Sequence, residues 1–220
     1  MLPGPDEIRA CPHCSKPFRI QTMLSGNNLG ARYWSDGKCD APMLPDYPAV
    51  ARCPHCRSIF WVEDTIVLGE EGCYSRPPAD QLEALWSGAR GLDHLGGEGY
   101  EEAIACNSDR ERERFLRVRY WHCVNDQYRD ALAIEDSKAS MTSQHQANLN
   151  ALLSLLGEED PSERIMKAEV FRELGRYREA LWLLSDVTED VSWAASRIAA
   201  MAAAGISQVF ELRSESGRTS

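Results

Sequence analysis

The sequence predicts an α+β protein of two domains: a small β module in residues 1–78, and an all-α array of antiparallel helix pairs in residues 79–220. Three observations predict it. The tetrapeptide Cys-Pro-His-Cys occurs twice, at Cys11–Cys14 and Cys53–Cys56, and each copy leads into a short strand-like run carrying an aromatic residue. Up to Val67 the chain alternates such runs with turn clusters, whereas beyond Pro77-Pro78 it changes to helical periods with repeated start signals. A short Tyr-x-x-Ala phrase then recurs three times in the second part.

In each C-x-x-C knuckle the two-residue gap lets both thiolates face one tetrahedral metal while the intervening backbone N–H groups turn toward sulfur. Four soft ligands at this spacing select zinc over calcium or magnesium, so Cys11, Cys14, Cys53 and Cys56 are the expected metal ligands. Four protein ligands leave no position open for water, which makes the expected zinc structural rather than catalytic. Met1 to Ala10 lacks the apolar segment of a secretory signal, so reduced thiols and a cytoplasmic location are expected. Cys39, alone after a turn, is read as a non-ligand, and His13 and His55, at inner knuckle positions, as bystanders.

Along the first domain, Met1 to Arg9 reads as an irregular leader. Phe18 to Thr22 is a strand, Ser25 to Asn28 a turn cluster, and Ala31 to Ser35 a returning strand closed by Asp36-Gly37. Asp40 to Pro48 is a proline-containing loop, Ser58 to Glu63 the next strand, and Thr65 to Arg76 the linker. These residues resemble a zinc ribbon, in which two cysteine knuckles cap adjacent β-hairpins and the metal stands in for a core. The resemblance covers about Ile8 to Val67, and it departs from many ribbons in the 38 residues between Cys14 and Cys53. That insert is a candidate recognition surface. Tyr33 to Lys38 lends itself either to stacking recognition or to packing of Tyr33 and Trp34 between the two halves, and small metal domains need their aromatics for packing.

In the second domain Asp80 with Glu83, Ser108 with Glu111, and Asp160 with Glu163 have capping-box spacing, the last with Pro161 in the first helical position. The phrases starting at Gly99, Gln127 and Arg176 set Tyr100 with Ala103, Tyr128 with Ala131, and Tyr177 with Ala180 on shared helix faces. They resemble the start of the second helix of a tetratricopeptide repeat. In the third copy Ala168, Phe171, Gly175 and Leu184 continue the likeness; the spacings of 28 and 49 residues depart from that family's regular 34. An additional helix is expected over Ser143 to Leu156. A final one, over Glu189 to Ala204, is expected to bury Trp193, Ile198 and Met201 and to stop at Gly205, and Trp182 is a further candidate for the core. Cys106 and Cys123 read as packing residues, and 214–220 as a polar, disordered tail.

Composition is that of a globular protein, with 43% hydrophobic and 26% charged residues and no apolar run long enough for a membrane span. Up to Pro78 there are 8 basic and 9 acidic residues, and after it 16 and 25. Neither half offers the basic surface that phosphate binding requires, which argues against nucleic acid as a partner. No P-loop, G-x-S-x-G, H-E-x-x-H or dinucleotide fingerprint occurs, and His94, His122 and His145 have no motif around them, so no catalytic residues are assigned. The expected function is a zinc-stabilised interaction scaffold whose acidic helical array serves a protein or peptide partner, favouring a basic one. Two alternatives stand beside it. One is a nucleic-acid-associated ribbon; the other is an iron-bound redox ribbon resembling rubredoxin, which uses the same pair of knuckles.

Overall fold

A computed structural model describes residues 1–71, 86, 88–131, 141–185 and 192–212. They group into two units, Met1–Ala31 with Ala41–Gly99, and Arg32–Asp40 with Tyr100–Ser220. The expected capping pair Asp80 and Glu83, the linker from Gly72 onward and the tail lie outside the described residues.

The first unit is built from short strands. β2 (Asp6–Ala10) pairs antiparallel with β3 (Pro17–Ile20) on one side and with β9 (Ile66–Glu71) on the other. β10 (Arg90–Gly91) adds parallel to β3, giving the order β10-β3-β2-β9. A second sheet has the order β11-β7-β8, from Asp93–His94, Val50–Arg52 and Ile59–Trp61. β1 (Leu2–Pro3) pairs with β4 (Met23–Ser25).

Two expectations change here. The stretch read as an irregular leader contains the central strand of its sheet, because Ile8 alternates with charged neighbours and is fully buried. The linker was expected to begin at Thr65, yet Ile66–Glu71 completes that sheet. The apolar Ile-Val-Leu run supplies β propensity that the following Gly-Glu-Glu obscures in the sequence. The core of this unit is Cys11, Phe18, Cys53 and Phe60, with the two phenyl rings 5.2 Å apart.

The second unit contains six helices among the described residues: α1 (Gly97–Ala105, entering from the first unit), α2 (Arg110–Ala131), α3 (Ser143–Leu155), α4 (Pro161–Glu173), α5 (Tyr177–Leu184) and α6 (Ser192–Ala203). Asp160 caps α4 through Glu163 N with Pro161 in the first turn, and Thr142 caps α3 through His145 N. The α2 cap is Asp109 rather than Ser108, since its carboxylate accepts from Arg112 N at 2.8 Å. α4 and α6 close in the same manner. Gly175 and Gly205 take φ of +74° and +69°, and the next residues, Arg176 and Ile206, return hydrogen bonds to Phe171 O and Met201 O.

Two apolar clusters hold these helices. Trp121, Leu149, Leu152, Leu156 and Val170 join α2, α3 and α4. Ala168, Ala180, Leu183, Leu184, Ala195, Ile198 and Ala202 join α4, α5 and α6, with Phe210 against them. A fully buried leucine or isoleucine contributes about 1.5–3 kcal/mol here. Ala180 is fully buried, as expected of the close-approach position in the third Tyr-x-x-Ala phrase. The second phrase behaves differently: Gln127 to Ala131 continues α2 without a turn, so it starts no new helix. Its Ala131 side chain lies outside the described residues. Trp182 and Trp193, expected in the core, are 70% and 46% exposed. The small residues Ala180, Ala195 and Ala202 bring the helices too close to admit an indole between them.

The Ala31–Ser35 run does not return onto β3. β5 (Arg32–Trp34) pairs with β6 (Cys39–Asp40) and with β12 (Glu211–Leu212), and this small sheet belongs to the helical unit. Its nine residues, Arg32–Asp40, therefore lie with the helices, unlike a division at a single point near residue 78. Trp34 is the physical reason. It is 1% exposed, donates from Nε1 to Asp40 at 2.8 Å, and has the guanidinium groups of Arg32 and Arg129 over its ring at 4.6 and 5.1 Å. Tyr33, by contrast, is 40% exposed.

Candidate metal centre

Cys11 and Cys14 flank the turn between β2 and β3, and Cys53 and Cys56 flank the turn between β7 and β8. The two turns are built alike. Cys11 N donates to Lys16 O and Ser15 N to Cys11 O; Cys53 N donates to Ser58 O and Arg57 N to Cys53 O. Ser15 and Arg57 both adopt left-handed φ, +58° and +66°, which reverses the chain directly after each knuckle. His13 N and His55 N lie 3.4 Å from the sulfurs of Cys11 and Cys53, so each turn directs an amide at its first thiolate.

These turns bring the four Sγ atoms within 4.8 Å of one another. The cross-knuckle pairs Cys11–Cys56 and Cys14–Cys53 are each 3.8 Å apart. Four thiolates bonded to one metal at about 2.3 Å form a tetrahedron with edges of about 3.8 Å, so the residues present fit such an ion. The four-cysteine cluster could therefore hold a metal. Cys39 is exposed on β6 and is not part of it.

The four thiols are electrostatically unequal. Burial pushes Cys11 up to about 12, whereas the Ser58 hydroxyl and backbone N–H draw the exposed Cys56 down to about 6. Cys11 and Cys53 thus form the dry inner side of the site and Cys56 its outer side. His55 is more than the bystander its position suggested. Its Nε2 donates to Pro17 O at 3.0 Å and ties the second knuckle to the strand leaving the first. The sequence carries no sign of this bond, which depends on the two knuckles facing each other.

A second group of polar residues, which motif reading does not reach, is buried in the helical unit. Asp36 is fully buried and accepts from Asn125 Nδ2 at 2.9 Å and from the Arg129 guanidinium. His122 Nε2 donates to Asp36 O at 3.0 Å, and Arg129 Nη1 to His122 O at 3.0 Å. Glu173 accepts from Trp121 Nε1 at 2.8 Å and from Asn125 at 3.0 Å, with His145 Nε2 at 3.8 Å. Burial alone would raise the Asp36 carboxyl, but His122 and Arg129 together hold it below its usual range. Burial pushes Glu173 up, helped by Glu169 and Asp36. Burial also pushes His122 down, against the pull of the Asp36 carboxylate.

His122, Asn125 and Arg129 follow one another at three- and four-residue steps along α2 and so share one face. That spacing was the available signal, and its meaning depends on the Asp36 turn arriving from far away in the chain. Of the two lone helical cysteines, Cys106 is exposed just after α1 and Cys123 is half-buried on α2.

Comparison with known proteins finds no matching family model, no matching curated protein and no matching solved structure. Among the described residues, no helix is long and apolar enough to cross a membrane.

Proposed function

We propose that this protein is a non-catalytic interaction scaffold, stabilised by one structural zinc ion in a ribbon-like module and presenting a tetratricopeptide-like helical surface to a protein or peptide partner. The observation that carries the reading is the cluster of Cys11, Cys14, Cys53 and Cys56, whose sulfur separations fit one tetrahedral ion and whose four protein ligands leave no coordination position for a substrate. Bound there, zinc would crosslink two hairpins whose shared core is only a few side chains deep. The α4–α5 pair, with its Gly175 turn and buried Ala168 and Ala180, supports the repeat-like reading. The chain's net charge of −10 favours a basic partner. Reduced thiols suit a cytoplasmic setting.

Elemental analysis of protein purified without chelator tests the metal, with one zinc per chain expected. Cys53→Ser is expected to lose the metal and with it the folding of the β module. Visible absorbance from iron-thiolate charge transfer would instead assign a redox ribbon, and a metal-free protein would refute the centre. Affinity purification with the full chain as bait tests the scaffold role. Recovery of nucleic acid in place of a protein would refute it.

A further inference from the structure

Among the described residues β9 lies at the end of the order β10-β3-β2-β9 and is paired on one side only, to β2. Exposed strand edges are templates for further pairing, and soluble proteins ordinarily protect them with lysine, proline or a covering element. In β9 the Trp86 indole lies against Gly69, and the residues before it stay exposed. The strand's first three residues, Ile66, Val67 and Leu68, are 71%, 48% and 47% exposed, so apolar side chains project from both faces of the strand. Its other half is acidic. In the ladder Glu7 stands opposite Glu70 and Asp6 opposite Glu71, an arrangement that like charges oppose. One arginine relieves each pair: Arg9 bonds Glu7 at 2.7 Å, and Arg19 bonds both Asp6 and Glu71. Four carboxylates against two guanidiniums leave this end of the edge negative.

We propose that β9 is a docking edge for an extended segment of a protein partner, which adds to the sheet as a further strand. That segment has alternating apolar residues alongside Ile66–Leu68 and lysine or arginine alongside Glu70 and Glu71. Main-chain hydrogen bonds to the open side of β9 supply the attachment, and the apolar-to-acidic gradient along six residues sets its direction. A second copy of this chain fits less well. Full antiparallel pairing of β9 with itself sets Glu70 against Val67 and Glu71 against Ile66, leaving the carboxylates without counter-ions. The apolar stretch is also too short to bury the roughly 1,200 Å² of a stable dimer. This edge is separate from the helical surface proposed above, and either can fail without the other.

The test uses the full-length protein and a labelled synthetic peptide of about ten residues that alternates valine with threonine and ends in two lysines. Fluorescence anisotropy is expected to show saturable binding, weakened about tenfold or more by Ile66→Lys with Leu68→Lys. Glu70→Lys should also weaken it, and a peptide ending in glutamates should recover binding to that variant. These side chains are exposed, so unchanged metal content and far-UV circular dichroism verify the fold of each variant. Three results overturn the proposal: no binding of the lysine peptide, equal binding of lysine- and glutamate-ended peptides by the natural protein, or binding that the double variant leaves intact. Concentration-dependent self-association that the double variant abolishes would overturn it too, by assigning the edge to a second copy.

Discussion

Arg129→Met isolates the buried ion pair of the helical unit. Arg129 and Asp36 are 4% and 0% exposed, so the attraction between them is poorly screened. Methionine keeps much of the aliphatic stem but removes the guanidinium from over the Trp34 ring and leaves the Asp36 carboxylate, among the described residues, with the Asn125 amide and Lys38 N as donors. Stranding a buried charge costs about 3–5 kcal/mol. The lost bond to His122 O adds about 1 kcal/mol, and the lost contact with the half-exposed Asp126 adds little. Removing the desolvation cost of the guanidinium offsets part of this, so the net loss should lie at about 3–5 kcal/mol, a large share of a domain's stability.

Urea denaturation of the full chain, followed by the fluorescence of buried Trp34 and Trp121, measures it. The pH dependence is a second signature. In the natural protein Asp36 has a lowered folded value, so its contribution is present above about pH 4 and is lost as pH falls through that folded value. In Arg129→Met the buried carboxyl prefers its proton, and the deficit should shrink as pH drops toward 4. A loss below about 1 kcal/mol, or a deficit that does not change with pH, would refute the assignment of Arg129 and Asp36 as a tightly coupled pair.

Other substitutions separate buried from exposed positions in the same unit. Ala180→Glu forces a carboxylate into the fully buried contact between α4 and α5 and should cost several kcal/mol, about 3 or more, in the same denaturation assay. Glu179→Ala removes an exposed pair with Arg176 and should leave the denaturation midpoint essentially unchanged. Ile198→Ala opens a cavity in the fully buried cluster and should cost about 2–5 kcal/mol, whereas Trp182→Ala, at 70% exposure, should cost under about 1 kcal/mol. If Trp182→Ala proved as damaging as Ile198→Ala, the exposed placement of the indole would be wrong.

The four-cysteine cluster was legible because its pattern is local: each knuckle is four residues long, and only the meeting of the two knuckles had to be inferred. The Asp160 cap, the Ser143–Leu155 helix and the Gly175 and Gly205 stops were legible for the same reason, since caps and left-handed turns act within one turn of helix. Strand partners were not. Asp6 to Ala10 looked irregular because three of its five residues are charged, and only pairing on both sides makes Ile8 a core residue. Ile66–Glu71 was hidden by its acidic half. Trp182 and Trp193 were expected inside because size and hydrophobicity favour burial, but the alanine contacts between α4, α5 and α6 leave them no room. The Asp36 to Arg129 pairing spans 93 positions in the chain, beyond the reach of any periodicity.

The route of the Arg32–Asp40 hairpin has an entropic consequence. Its nine residues belong to the helical unit, but they hang from the chain between Cys14 and Cys53, a loop that one metal ion bound to both knuckles would close. With that loop closed, the tip carrying Asp36 searches a smaller volume before finding Arg129. With it open, the search belongs to a longer and freer chain. Loop-closure entropy changes by about 0.6 kcal/mol for each doubling of length, so metal removal should slow refolding of the helical unit modestly even though no cysteine ligand lies within it. A helical fragment cut at residue 79 would lack the hairpin altogether. Supplied as a separate peptide, Arg32–Asp40 would have to be added at roughly millimolar concentration to match what its tether provides.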